Sequence, residues 1–406
     1  MLLKSTATLT ASKFMVSLMP IIMLPVITEF LSKDEFSKYS LALSALAIFM
    51  PLICLNVQTG QRVRVAEGEN NKTQNKISLL IMLISTFVTL VILGLLPTSI
   101  LGKFEKSELV IIALGAFATG IITSIETYYV LERQPVKLSF MIIGSNLVVW
   151  LGAYFLLIVT PNWWIKIMPL ILVGTFFFCK VLLFKRNYIS FKDAIFQGKR
   201  LLKIGLNSLP LSSLSIAFLH FDKVLAAFIF DLNEIFIYMA LSSVVAVLGF
   251  LLQGSSIGYE YICYHFYSKQ QYLKNAFVAC GFLSFFIFSS ALFFMFHDGI
   301  ISYMISKELN TNIAHIVLPL IFASFSRACL ILLNPIIIIW QKGPIIAAVQ
   351  ALVFFVFFFC GILYATDISI VEYATIYSNA MMFMLIATII SLAILTFHNY
   401  ANLWSK

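Results

Sequence analysis

The stretch "HFDKVLAAF", His220 to Phe228, places an imidazole, a carboxylate and an ammonium close together inside an otherwise apolar run. On a helix His220 and Lys223 share a face, whereas Asp222 points about 100° away and cannot readily neutralise its neighbour. An ionisable group near a bilayer centre costs at least about 2.5 kcal/mol, so it is a functional candidate by default. Lys13, Glu29, Glu126, Glu260 and Arg327 stand in or at the ends of other apolar runs, and Pro20 and Pro25 form a helix-breaking pair beside the first. Such groups are tolerated where they line a wet cavity. The plainer readings are that Lys223 snorkels to the surface, that Asp222 pairs with Arg327 or Lys13, and that His220 packs.

Arg62 and Arg64 follow the second apolar run. Guanidinium groups there suit capture of a diphosphate, because they fork onto phosphate oxygens; they also serve as simple topology charges. Tyr128, Tyr129, Trp150 and Tyr154 could stack on sugars, or fill a packing or belt role. The sequence has no His-Glu-x-x-His, no Asp-x-Asp and no phosphate-cradling glycine loop. A catalytic role and ATP-driven pumping are therefore not expected, and neither is a cofactor or a metal.

The elements that must position these groups follow from composition. Hydrophobic residues make up 61% of the chain and charged residues 11%, with 39 phenylalanines and a mean hydropathy of +0.98. Soluble domains carry about 25% charged residues, so this is an integral membrane protein. The net charge of +9 does not point to nucleic acid, because the basic residues sit in short clusters between apolar runs. The six cysteines lie mostly in apolar runs without metal-ligand spacing and read as small buried hydrophobes. The first apolar run has no small-residue cleavage site and is expected to be a retained helix.

At about 20 residues per crossing, spans are expected near 9–31, 36–58, 77–100, 108–131, 139–160 and 166–185, then near 205–230, 235–260, 275–297, 313–336, 345–366 and 373–397. The expected fold is an all-α polytopic membrane protein with 12 transmembrane helices in two six-helix lobes, 1–185 and 205–406. The connection 186–204 is basic and dotted with apolar residues, as an interfacial amphipathic linker would be, or a solvated one obeying the positive-inside rule. With the N-terminus inside, and with Lys38, Lys166 and Lys185 at span ends counted with the adjoining loops, 17 of the 27 Lys and Arg are assigned to cytoplasmic segments, six to outer segments and four to spans, which places both termini in the cytoplasm.

An offset of 199 residues superposes Glu35 on Glu234, Tyr39 on Tyr238 and Ser44 on Ser243. Six spans per half make both halves enter from the same side, the arrangement of parallel repeats with a cavity between them.

The stretches "LPVITEFLSKDEFSKYSLALSAL" and "GLNSLPLSSLSIAFLHFDKVLAAFIFDLNEIFIYMALSSV", with the twelve-span plan, resemble the O-antigen (Wzx-type) flippases of the multidrug, oligosaccharidyl-lipid and polysaccharide exporter superfamily. Pro25, Asp34, Glu35 and Tyr39 match that family's first-to-second span pattern, and Pro210, Asp222 and Tyr238 its seventh-span pattern. Lys223 stands where the family has arginine, keeping the charge and losing the fork.

The resemblance implies a bacterial inner-membrane protein that moves an undecaprenyl-diphosphate-linked oligosaccharide to the periplasmic leaflet by alternating access. Proton or sodium coupling, and other polysaccharide-assembly proteins as partners, are part of that expectation. Lys13, Arg62, Arg64, Lys223 and Arg327 would then offer a positive path, and Glu126, His220 and Asp222 would serve ion coupling or gating. The alternatives are a cation-coupled multidrug antiporter of the same superfamily and a polysaccharide polymerase. The polymerase is disfavoured by the short outer loop 298–312.

Reporter fusions after Lys76 and Lys203 are expected to read cytoplasm, and fusions after Lys106 and Asn310 periplasm. A swapped pair would undo the span count.

Overall fold

The computed structural model describes residues 2–95, 104–132, 134–184, 191–231, 234–246, 271–305, 313–339, 343–365 and 368–404, with residues 248, 259, 263 and 266. In chain order the helices are α1 (Leu2–Phe30), α2 (Lys33–Cys54), α3 (Val57–Ala66), α4 (Asn71–Leu95), α5 (Lys106–Leu131), α6 (Pro135–Val159) and α7 (Ile167–Phe184). They continue with α8 (Phe191–Ile229), α9 (Glu234–Ala246), α10 (Tyr272–Met295), α11 (His297–Met304), α12 (Ile313–Ile339), α13 (Gly343–Tyr364) and α14 (Ile370–Trp404).

The described residues contain no strand. A bilayer offers no water to unpaired backbone groups, so closing every hydrogen bond within the segment is the available solution. Nine helices among the described residues are long and apolar enough to cross a membrane, and α7 and α9 hold shorter apolar stretches. Each expected span falls on a helix, the eighth on α9 as far as the described residues run.

Two compact units divide the chain, Met1–Phe236 and Ile237–Lys406. In the first, α1 packs on α6, α5 on α7 and α4, and α2 on α5 and α8. In the second, α14 packs against α12 and α13. Its core is aromatic, with Tyr238 edge-on to Tyr373 at 5.4 Å and Phe354, Phe358 and Tyr377 within 6.2 Å of one another. One buried polar bond, Gln350 Nε2 to Thr388 Oγ1 at 3.1 Å, ties α13 to α14.

The ends of the first unit sort into two separate sets, as alternating crossings in either orientation would. Segments assigned outside meet one another: the Trp163 N–H donates to Glu35 Oε2 at 2.7 Å, the Phe104 ring lies tilted against Trp163 at 6.0 Å, and Lys38 pairs with Glu108 at 3.2 Å. Segments assigned inside meet through a separate set of buried and partly buried polar contacts. Gln61 donates to Asn71, Asn71 to the Tyr128 carbonyl and Glu132, and Gln74 to Gln197, all within 3.0 Å.

The repeat has a structural counterpart at the same offset. Ser32 Oγ accepts from the Glu35 N–H at 3.2 Å and Asp231 Oδ1 from the Glu234 N–H at 2.8 Å, capping α2 and α9 alike. Tyr39 and Tyr238 are both buried.

Three features depart from the expected helices. Helix α1 runs through Pro20 and Pro25 unbroken, as membrane helices tolerate when neighbouring groups satisfy the freed carbonyls. The second span ends early: Leu55 and Asn56 adopt left-handed φ of 46° and 50°, and the chain restarts as α3, which carries Arg62 and Arg64. The stretch from Phe191 and the seventh span form one rod, α8, although Gly205 and Pro210 lie within it.

That rod is pressed into the α2–α3 corner. A Cβ on Gly205 would stand 2.5 Å from the Leu55 carbonyl oxygen, and one on Gly60 would stand 2.6 Å from that of Leu201. Between helices in lipid, close packing of small residues replaces the missing hydrophobic drive. Asn56 Nδ2 donates to Ser208 Oγ at 2.8 Å across the same corner.

Gly60→Ala and Gly205→Ala are therefore expected to cost about 1–3 kcal/mol each, read as a lower melting temperature in detergent. Gly144→Ala, with nothing within 4 Å of its Cβ, is expected to leave melting unchanged.

Candidate functional site: a charged cavity in the first unit

Helices α1, α2, α5 and α6 and the start of α7 line an open cavity of about 360 Å³, within the size range of small-ligand pockets. Lys13 Nζ on α1 lies 2.8 Å from Glu126 Oε2 on α5, with side chains 28% and 21% exposed. The structure thus brings together a predicted substrate-cavity cation and a predicted coupling carboxylate.

A second ammonium lines the same cavity. Lys166, in the turn before α7, holds its Nζ 4.3 Å from the centroid of the buried Trp150 ring. A desolvated cation over an indole face gains about 2 kcal/mol, which helps an ammonium remain in an apolar lobe. Two cations thus face one carboxylate across this space.

The remaining polar lining has a consistent polarity. Thr119 and Thr123 donate their hydroxyl protons to carbonyls on their own helix at 2.9 Å, and Asn146 Nδ2 donates to the Ile142 carbonyl at 2.9 Å. With the hydroxyl protons used locally, the threonine lone pairs and the Asn146 amide oxygen remain as acceptors, beside the second Asn146 N–H. The cavity therefore combines two ammoniums with acceptors suited to hydroxyl donors.

The other predicted site residues lie elsewhere. Arg62 is exposed on α3. Arg64 is buried, paired with Glu67 and, at 2.7 Å, with Glu69, so its charge is balanced locally. His220, Asp222 and Lys223 occupy one stretch of α8, with Asp222 buried and the other two half-buried. Arg327 is half-buried on α12 of the second unit. Glu29 is exposed at the end of α1, and Glu260 lies outside the described residues. Of the aromatic candidates, Trp150 reaches the site through Lys166, Tyr128 and Tyr129 pack on each other at 5.4 Å, and Tyr154 is exposed. Among the described residues no group of three or more His, Cys, Asp and Glu could hold a metal ion.

Sequence reasoning missed Lys166 and Asn146. Lys166 stands at the first residue of the expected sixth span, where a lysine reads as an ordinary boundary charge. Its signal was Trp150 across a short α6–α7 turn, visible only once the helices are paired.

Removing one partner of a partly buried ion pair leaves the other charge exposed to a low dielectric. Lys13→Met and Glu126→Leu singly are expected to lower membrane abundance, and the double variant to restore it without restoring transport. Recovery of both would reduce the pair to packing; recovery of neither would show that the two residues do not act as a pair.

No protein-family model matches this sequence, and neither does any curated protein. Solved structures do match over nearly the whole chain. An inward-facing multidrug resistance MATE family transporter of the MOP superfamily aligns at 15% identity and TM-score 0.63, over 93% of this chain and 96% of that one. The lipid II flippase MurJ, in an inward closed conformation, aligns at 14% identity and TM-score 0.66, over 95% of this chain and 87% of that one. An outward-facing MATE transporter aligns at 13% identity and TM-score 0.56, over 95% and 93%. The chain has the fold that these MATE transporters and MurJ share.

Proposed function

We propose that this protein is a flippase carrying undecaprenyl-diphosphate-linked O-antigen or related polysaccharide repeat units across the bacterial inner membrane, by alternating access of two six-helix lobes. The observation that carries the reading is the cavity in which Lys13 and Lys166 outnumber Glu126, with Thr119, Thr123, Ser145 and Asn146 among otherwise aliphatic walls. An apolar lobe that keeps excess positive charge favours an anionic ligand, and the few polar groups on its walls suit the hydroxyls of a sugar. The fold supports it too, since one structure that shares it is a lipid II flippase.

In this reading Lys13, Lys223 and Arg327 form cationic stations for the diphosphate and acidic sugars, with Arg62 at the cytoplasmic mouth. Arg64, predicted for the same path, is balanced by Glu67 and Glu69 and takes part through α3. Glu126, His220 and Asp222 serve proton or sodium coupling or gating, with no bound cofactor. The lobes are 1–185 and 205–406, joined through 186–204, with both termini cytoplasmic, and the partners are the lipid-linked oligosaccharide and other polysaccharide-assembly proteins.

A second reading, a cation-coupled multidrug antiporter, draws on the MATE likeness and on the intramembrane carboxylate Glu126. The excess of ammoniums in the cavity weighs against it, because an organic cation would meet net repulsion.

Deleting the gene is expected to abolish surface polysaccharide while lipid-linked single repeat units accumulate on the inner leaflet. Normal polymer in a strain with no redundant exporter, together with new sensitivity to cationic drugs, would replace the flippase reading with the second one.

A further inference from the structure

The first half of α8 has two opposite faces. At 100° per residue, Ile195, Phe196, Lys199, Arg200, Lys203 and Leu206 fall within an arc of about 140°. All six are exposed. Leu201 and Gly205 lie on the opposite arc, fully buried or nearly so, and press on α3 and the α2–α3 corner. Gln197 on that side bonds Gln74 of α4 at 2.9 Å, and Ser208 accepts from Asn56 at 2.8 Å. These contacts fix the rotation of the helix, so the basic and apolar arc cannot turn inward.

They also fix its level. The buried arc meets α2 where it ends and α4 where it begins, so the exposed arc lies at the edge of the apolar slab. The Arg200 guanidinium carbon sits 4.5 Å from the Phe196 ring centroid. A cation held over an aromatic ring at that edge suits the headgroup level, where amphipathic side chains combine an apolar body with a charged tip.

We propose that this arc is a docking face for the anionic phospholipid headgroups of the adjoining leaflet. Three cations, Lys199, Arg200 and Lys203, face outward against one exposed carboxylate on the same stretch, Asp193. Polybasic segments at a membrane edge are drawn to anionic lipid in this way, each cation adding to the attraction. Because α8 is one uninterrupted helix, the face is joined to Asp222 and Lys223 on the same rod, about 33 Å along it. Bound lipid would therefore hold the foot of the element that carries the seventh-span charges. The proposal does not depend on the identity of the transported substrate.

Native mass spectrometry of the full chain with phosphatidylglycerol and with phosphatidylcholine of the same acyl length tests it. The wild type is expected to retain phosphatidylglycerol preferentially. Lys199→Gln/Arg200→Gln/Lys203→Gln is expected to weaken that retention about tenfold or more, and Phe196→Ala to weaken it for both lipids. A Lys137→Gln/Lys274→Gln variant, which removes exposed cations elsewhere, is expected to keep it. Equal loss in that control, no preference in the wild type, or displacement of the lipid by inorganic pyrophosphate at matched concentration would each overturn the proposal. Should the triple variant fail to fold, Arg200→Gln alone is expected to shift the preference in the same direction, and no shift would count against the docking face.

Discussion

A charge inside an apolar lobe must be compensated where it stands, and the first unit is built around that requirement. Lys13 and Glu126 come from helices 113 residues apart in sequence, and their 2.8 Å contact lets each remain in a region that would otherwise exclude it. Lys166 is kept by a different means, the face of Trp150. The helices α1, α5 and α6 and the start of α7 can then surround a polar space without closing it. The sign of that space follows from the count of groups that line it.

The corner where α2, α3 and α8 meet is held by close packing and a hydrogen bond between uncharged side chains. Two left-handed residues, Leu55 and Asn56, turn the chain from α2 into α3, a conformation that costs an L-residue roughly 1–2 kcal/mol. The corner persists because Gly205 of α8 fits against the Leu55 carbonyl and Asn56 bonds Ser208. The same contacts aim the outer arc of α8 away from the protein. One face of a single helix thus secures the fold while the other is left to meet its surroundings.

Much of this was legible in the sequence. The spans follow from apolar length, since a bilayer fixes how long a crossing must be, and the repeat seen in Glu35 and Glu234 reappears as matched caps at Ser32 and Asp231. Arg64 was also within reach: "RVAEGE" places Glu67 and Glu69 where either can fold back on it. The α2–α3 corner was not, because leucine carries no sequence sign of a left-handed backbone; only tertiary contacts select it. Nor was the pairing of Lys13 with Glu126, which depends on which helices become neighbours. The continuity of α8 was hidden by its own composition, since basic residues among apolar ones suggest a linker whether or not the helix runs on.

The central claim is that the positive cavity of the first unit serves an anionic, lipid-linked cargo. The most direct measurement is transfer of a fluorescent undecaprenyl-diphosphate-linked oligosaccharide between leaflets of proteoliposomes, for the wild type and for Lys166→Gln at equal reconstitution. The account predicts transfer by the wild type and a substantial loss in the variant, because the cavity would drop from two cations to one against the same carboxylate. Equal transfer by both, or transport of an organic cation with no transfer of the lipid, would contradict it.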